Sequence, residues 1–134
     1  MRNNIIKVVA GLIKKNRKLL ICQRNKNQDY EFKWEFPGGK IEKKESPPDA
    51  LTRELKEELD IDVKSISYFD DYQFTYANSD KRLHLFFFEI NEFHGKITNK
   101  MHNKLNWVEV IHLSEYDFLD GDKKVIKKLM NNNF

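Results

Sequence analysis

Residues 39–61 read GKIEKKESPPDALTRELKEELDI, and this stretch decides the fold. Pro47-Pro48-Asp49 opens a helix, because proline suits the first helical turn, where an N–H would have no partner. Ser46 is the expected N-cap. Leu51, Leu55 and Leu59 recur every four residues and, with Ala50, form one apolar stripe. Glu54, Glu57 and Glu58 follow the spacing i, i+3, i+4, so the three carboxylates project from neighbouring positions on one face. Like charges so placed repel by a few tenths of a kcal/mol per pair. Two readings follow. The face is either a solvated acidic surface, with Arg53 and Lys56 as local partners, or a site for a hard cation. Mg²⁺ and Mn²⁺ prefer oxygen ligands and keep several waters, which suits a substrate that brings phosphate oxygens of its own.

Working outward, residues 34–41 combine aromatic residues with a Pro-Gly-Gly break and predict strand, sharp turn, strand. Gly38-Gly39 lets backbone come close to a metal or phosphate. Residues 5–13 and 19–24 are rich in Ile, Val and Leu and read as a strand pair around a polar turn at 14–17. Residues 25–32 are polar and read as a loop. Beyond the helix, 61–76 alternates apolar with polar as a strand does, Asn78-Ser79-Asp80 is a turn, and 83–90 is a strongly apolar strand. A short strand at 105–110 precedes a second amphipathic helix at 122–130, with Val125, Ile126, Leu129 and Met130 on its apolar side. The Asn run 131–133 reads as a frayed tail. Strands interleaved with two helices give an α/β domain with a mixed sheet.

The bulk properties agree. A chain of 134 residues suits one domain, and 40% apolar content with many aromatics excludes a disordered chain. No stretch approaches the ~18–20 apolar residues of a membrane span, and no leader pattern precedes the first strand. Cys22 is the single cysteine, which fits a reducing cytoplasm. The net charge of +3 is small and the lysines are scattered, so no basic stripe points to a nucleic-acid polymer.

The spacing from Gly39 adds a resemblance. Glu45 follows Gly39 after five residues, Arg53-Glu54-Leu55 follow after seven more, then come Glu57-Glu58 and Ile61. This resembles the box of the Nudix family, with one departure, Asp60 in place of a glycine. The flanking Trp34-Glu35-Phe36-Pro37-Gly38-Gly39-Lys40-Ile41-Glu42 is similar to the MutT-like branch, and the likeness extends over most of the chain. It implies an α/β/α sandwich with a mixed sheet and a catalytic loop–helix at 39–61. It further implies Mg²⁺, or Mn²⁺, held by Glu54, Glu57, Glu58 and the Gly39 carbonyl. Glu45 would pair with Arg53 and orient the glutamates. A polarised water would attack a phosphorus, with Glu57 or Glu54 taking its proton. Arg24 and Lys40 match positions expected near the phosphates, although each also reads as an ordinary surface cation. Asp60 falls where a left-handed residue ends the helix, a conformation Asp tolerates at ~1 kcal/mol relative to Gly.

Two positions bear on the substrate. In MutT-type enzymes an Asn before the last helix reads oxidised guanine. Asp122 occupies that place and, when ionised, only accepts hydrogen bonds, which favours a cytosine-type base or another purine pose. It also reads as a helix cap. Phe36 is expected under the base or in the core, and Trp34 and Trp107 in the core or at its rim. Many MutT-like chains carry a Glu six residues before the Trp matching Trp107. Met101 stands there and His102 follows, an unremarkable loop histidine unless it substitutes. His84, His94 and His112 show no mutual ligand spacing.

The resulting expectation is a Mg²⁺-dependent nucleoside triphosphate pyrophosphohydrolase, cytoplasmic, monomeric or homodimeric, cleaving a modified nucleotide to monophosphate and pyrophosphate. The alternatives are a Nudix hydrolase of a dinucleotide polyphosphate or nucleotide sugar, and a catalytically weak nucleotide-binding module.

Overall fold

A computed structural model describes residues 4–77 and 79–132. Asn78 of the expected turn and Asn133 of the expected tail lie outside the described residues. Seven strands, β1 (Ile5–Lys15), β2 (Lys18–Gln23), β3 (Trp34–Glu35), β4 (Gly38–Lys40), β5 (Asp62–Thr75), β6 (Arg82–His94) and β7 (Lys104–Glu109), form a mixed sheet. Helix α1 (Pro47–Leu59) follows β4, and α2 (Lys123–Asn131) ends the described chain. The order β3-β2-β1-β6-β5 runs through the middle, with β4 also on β1 and β7 also on β2. Among the described strand pairs β1–β6 is parallel and the others are antiparallel.

Alternation along β1 divides the core into two layers. Val9 and Ile13 turn to one side and pack with Leu51, Leu55 and Leu59 of α1. Ala10 and Leu12 turn to the other and pack with Val125, Ile126 and Leu129 of α2. A strand buried on both faces reads as a continuous apolar run, as 8–13 does. The expected α/β/α sandwich is therefore the architecture found.

Several local expectations are corrected. The 14–17 turn shrinks to Asn16 and Arg17, at φ 53° and 67°, the two left-handed residues of a tight hairpin. Gly38-Gly39 is not a turn but strand, paired with Ala10 and Val9. A 3₁₀ helix at Val110–Glu115, carrying no clear periodicity, follows β7. The last helix begins only at Lys123, after a short 3₁₀ turn at Asp120–Asp122, and Asn131 belongs to it rather than to a frayed tail. Among the described residues no helix is long and apolar enough to cross a membrane.

Both ends of α1 are built as its sequence suggests. The Ser46 hydroxyl accepts from the Asp49 N–H at 3.2 Å, and Asp60 ends the helix in the left-handed region at φ 58°, ψ 38°. Asp60 lies at the negative end of the helix dipole, and its ion pairs to Lys56 (3.4 Å) and Lys100 (4.0 Å) are solvent-exposed. Asp60→Gly is therefore expected to stabilise the protein by ~1 kcal/mol. Thermal melting should show a rise of a few degrees; a fall would mean that the ion pairs outweigh the backbone strain.

Candidate active site

The three glutamates of α1 do not share one environment. Glu58 is 2% exposed. The Glu54 side chain is 16% exposed and that of Glu57 48%. One face of the helix thus carries a gradient from buried to open carboxylate. Burial, with the charges of Glu58 and Glu57 adding to it, pushes the Glu54 carboxyl up to about 7. Burial also raises Glu58, against hydrogen bonds from His102 and the Gly38 N–H.

Arg53 organises the open side of this group. Its Nε and Nη2 donate to Glu45 at 2.7 and 2.9 Å, a bidentate pair. That hydrogen bonding pulls the Glu45 carboxyl down to about 2. Nη2 also donates to the Lys40 carbonyl at 3.1 Å, tying α1 to β4. Nη1 reaches Glu57 at 3.1 Å and Glu54 at 3.5 Å, and Glu42 lies 3.8 Å from Nη2. The expected Glu45–Arg53 pair is thus present. Lys56 is no partner of the glutamates, since it pairs with Asp60 and Asp62.

Gly39 faces this cluster. A Cβ there would lie 1.7 Å from Glu54 Oε2, so only glycine lets the strand backbone and this carboxylate stand in contact. Crowded, partly desolvated carboxylates are oxygen donors suited to a hard cation. The residues fit a divalent ion in that chemical sense. Among the described residues no three acidic, His or Cys side chains are grouped closely enough in this arrangement to hold a metal ion. Arg53 meanwhile supplies positive charge to Glu54 and Glu57.

A cavity of about 370 Å³ opens beside Gly38, Gly39 and Lys40 and is also lined by Arg24, Phe36, Tyr30, Tyr76 and Asp122. It brings all four residues assigned to substrate together. Lys40 is exposed at its rim. Arg24 is not free: Nη1 pairs with Glu35 at 3.0 Å and Nε donates to the Asp29 carbonyl at 2.7 Å. Phe36 is buried against Phe118 (ring centroids 5.3 Å apart), so it serves core and cavity wall at once. Trp34 packs at the core rim, edge-on to Tyr116, and Trp107 packs against the α1 layer.

Asp122 is the main correction. Its side chain makes no helix-cap hydrogen bond. It is buried and accepts from the Phe36 N–H; burial, with the Glu35 charge, raises its carboxyl well above the usual range. Burial thus opposes the ionised, purely accepting form of Asp122. A carboxylic acid both donates and accepts. The sign for stability follows: the folded state binds this proton more tightly than the unfolded chain, so stability falls as pH rises from the unfolded value towards the folded one. Asp122→Asn is expected to stabilise the fold by about 1–3 kcal/mol at pH 8. The gain should shrink towards pH 4, as melting at the two pH values measures.

Composition alone did not single out Glu35, Tyr30 or Tyr76. The rings of Tyr30 and Tyr76 lie 4.9 Å apart on the cavity wall. The Tyr76 hydroxyl accepts from the Gly121 N–H at 3.1 Å, and the Tyr72 hydroxyl donates to the Gly121 carbonyl at 2.7 Å. These bonds fix the turn that carries Asp122. Aromatic residues in 25–32 and at the end of 61–76 were the available signal.

The NUDIX domain family model matches residues 5–129. The chain is similar to the 8-oxo-dGTP diphosphatase of Haemophilus influenzae, 34% identical over 98% of this chain and 96% of that protein. It is 33% identical to the CTP pyrophosphohydrolase of Escherichia coli, over 94% of this chain and 92% of the relative. The solution structure of the Escherichia coli ORF135 protein superposes with a TM-score of 0.85 at 32% identity, covering 96% of this chain and 91% of that one. With the Gly39–Glu54 contact, the Arg53–Glu45 pair and the carboxylate gradient in place, the chain belongs to the Nudix hydrolase family, in its MutT-like branch.

Proposed function

We propose that this hydrolase cleaves a modified or non-standard nucleoside triphosphate to the monophosphate and pyrophosphate, with Mg²⁺ or Mn²⁺ as cofactor. The observation that carries the reading is the cavity beside Gly39. Its lining includes both Gly39, which stands against Glu54, and Asp122, which supports a reading with phosphates towards the first and a base towards the second. The names of the Haemophilus influenzae and Escherichia coli relatives, which act on 8-oxo-dGTP and CTP, support the substrate class.

Each residue then has a task. Glu54, Glu57, Glu58 and the Gly39 carbonyl would hold the cation. When bound, the cation would neutralise phosphate charge and acidify the attacking water. Glu57 or Glu54 accepts that water's proton on a carboxylate oxygen, and Glu45 steadies Arg53, which steadies both. Lys40 at the rim and Arg24 beside it balance the phosphates. Phe36 supports the base, and Asp122 meets the base edge, as an acceptor alone when ionised and as donor and acceptor when protonated. Cytosine (ring N3 with its amino group) and an oxidised guanine (carbonyl with ring N–H) both match that pair.

A screen of oxidised and normal nucleoside triphosphates for pyrophosphate release, with Mg²⁺ and with Mn²⁺, tests the proposal. Monophosphate and pyrophosphate from one of them are expected. Sugar phosphate from a nucleotide sugar, or turnover of a dinucleotide polyphosphate instead, would move the chain to another Nudix substrate class. No turnover at all would leave a binding module. Asp122→Asn is expected to change the ratio of cytosine to guanine turnover; an unchanged ratio removes Asp122 from base reading.

A further inference from the structure

The loop between β6 and β7 lies against the end of α1. Its backbone N–H groups at Lys100 and Thr98 donate to the carbonyls of Glu58 (3.0 Å) and Leu59 (2.9 Å). These are among the last carbonyls of the helix, which have no intrahelical donor. On the other side, Asn103 N–H donates to the Gln23 carbonyl at 2.9 Å, and the Asn25 amide donates to the Met101 carbonyl. Asn99 clamps the centre: its Oδ1 accepts from His102 N–H at 2.8 Å and its Nδ2 donates to the His102 carbonyl at 2.8 Å. The histidine backbone is thus held from both ends before its ring does anything.

The ring reaches Glu58. His102 Nε2 lies 2.9 Å from Glu58 Oε1, and the two side chains are 9% and 3% exposed. An ionised carboxylate has no hydrogen to give, so Nε2 carries it and donates. Glu58 stands next to Glu57 in sequence and one turn from Glu54, in a place where burial already opposes its charge. A carboxylate in that position keeps a single orientation only if fixed donors hold it. His102 and the Gly38 N–H are the two donors.

We infer that His102 is a positioning residue for Glu58: the clamped imidazole fixes the buried carboxylate on the acidic face of α1 for its role towards the cation. The inference rests on the metal role proposed above for Glu58. It gives the loop a function despite Met101, because the adjacent residue acts through Glu58 and not on the substrate. Hydrogen-bond partners of carboxylate ligands typically change metal affinity or activity by about 10–100-fold when lost.

The test uses the full chain with Mn²⁺ alone, free ion measured by electron paramagnetic resonance, beside thermal melting. His102→Phe keeps the ring volume and removes the donor. Mn²⁺ affinity is expected to fall about 10–100-fold, and kcat at saturating nucleotide to fall more than KM rises. His102→Gln, which restores an N–H at similar reach, is expected to recover most of both. A folded His102→Phe that binds Mn²⁺ as the parent does overturns the inference, as does a His102→Gln no better than the Phe variant. Should Phe prevent folding, His102→Ala gives the same comparison. Glu57→Gln separates the two readings. Loss of Mn²⁺ there but not at His102→Phe overturns the role of His102 alone, and a parent protein that binds no Mn²⁺ overturns both.

Discussion

Glu57→Gln is expected to lower turnover by about 10²–10⁴-fold, the usual contribution of a positioned acid–base group, while the melting temperature stays within a few degrees of the parent. The separation of the two effects comes from where the side chain lies. Glu57 is half-exposed on the outer turn of α1, and its partner is Arg53 Nη1 at 3.1 and 3.4 Å. An exposed pair of this kind contributes about 0.3–0.5 kcal/mol. Glutamine keeps the shape and one acceptor oxygen, and it removes one of three mutually repelling charges. What it cannot do is carry a full negative charge or take a proton from water. Pyrophosphate release and a thermal melt on the same preparation check both halves. Activity near the parental level would sink the assignment of Glu57 to the acidic site.

Gly39→Ala is expected to be nearly as damaging, again without unfolding the chain. An added Cβ would come 1.7 Å from Glu54 Oε2 and 2.5 Å from its Cδ. The obstacle is the mobile end of a side chain, so the fold can accommodate the methyl by moving that carboxylate away. A displacement of about 1 Å at a catalytic group costs on the order of 10² in rate. Gly38 provides the contrast. A Cβ there would lie 1.9 Å from the Val9 carbonyl oxygen and 2.8 Å from the Ala10 Cα, both backbone in the central strand. Gly38→Ala should therefore lower the melting temperature strongly, and Gly39→Ala should lower rate and Mn²⁺ affinity with a small change in melting. Equal melting temperatures for the two variants would contradict this division.

The sequence made the local features of the site readable and left the long-range ones hidden. Ser46, Pro47, the leucine stripe and Asp60 define α1 because each acts within one helical turn. Glu45 and Arg53 pair as expected, being eight residues apart on a tight loop and helix. The inequality of Glu54, Glu57 and Glu58 was invisible, since equal spacing on a helix says nothing of what covers each position. Gly38-Gly39 suggested a turn because glycines punctuate chains. The reason for them here is close approach, to Val9 in one case and Glu54 in the other. Asp122 was legible as a polar group before the last helix, but its charge state depends on burial and on Glu35, far away in sequence. His102 lies 44 residues from Glu58, and only the folded loop shows that they meet.

Arg53 has one more consequence, for how the protein is made. Proteins whose metal holds them together remain unfolded until it arrives, as small zinc modules do. Here the guanidinium spans Glu42, Glu45, Glu54 and Glu57 and quiets the acidic helix with a charge encoded in the chain. The sheet and helices are therefore expected to form before any cation binds. On the proposed metal role, a chelator is expected to silence the protein without lowering its melting temperature, activity returning with the ion.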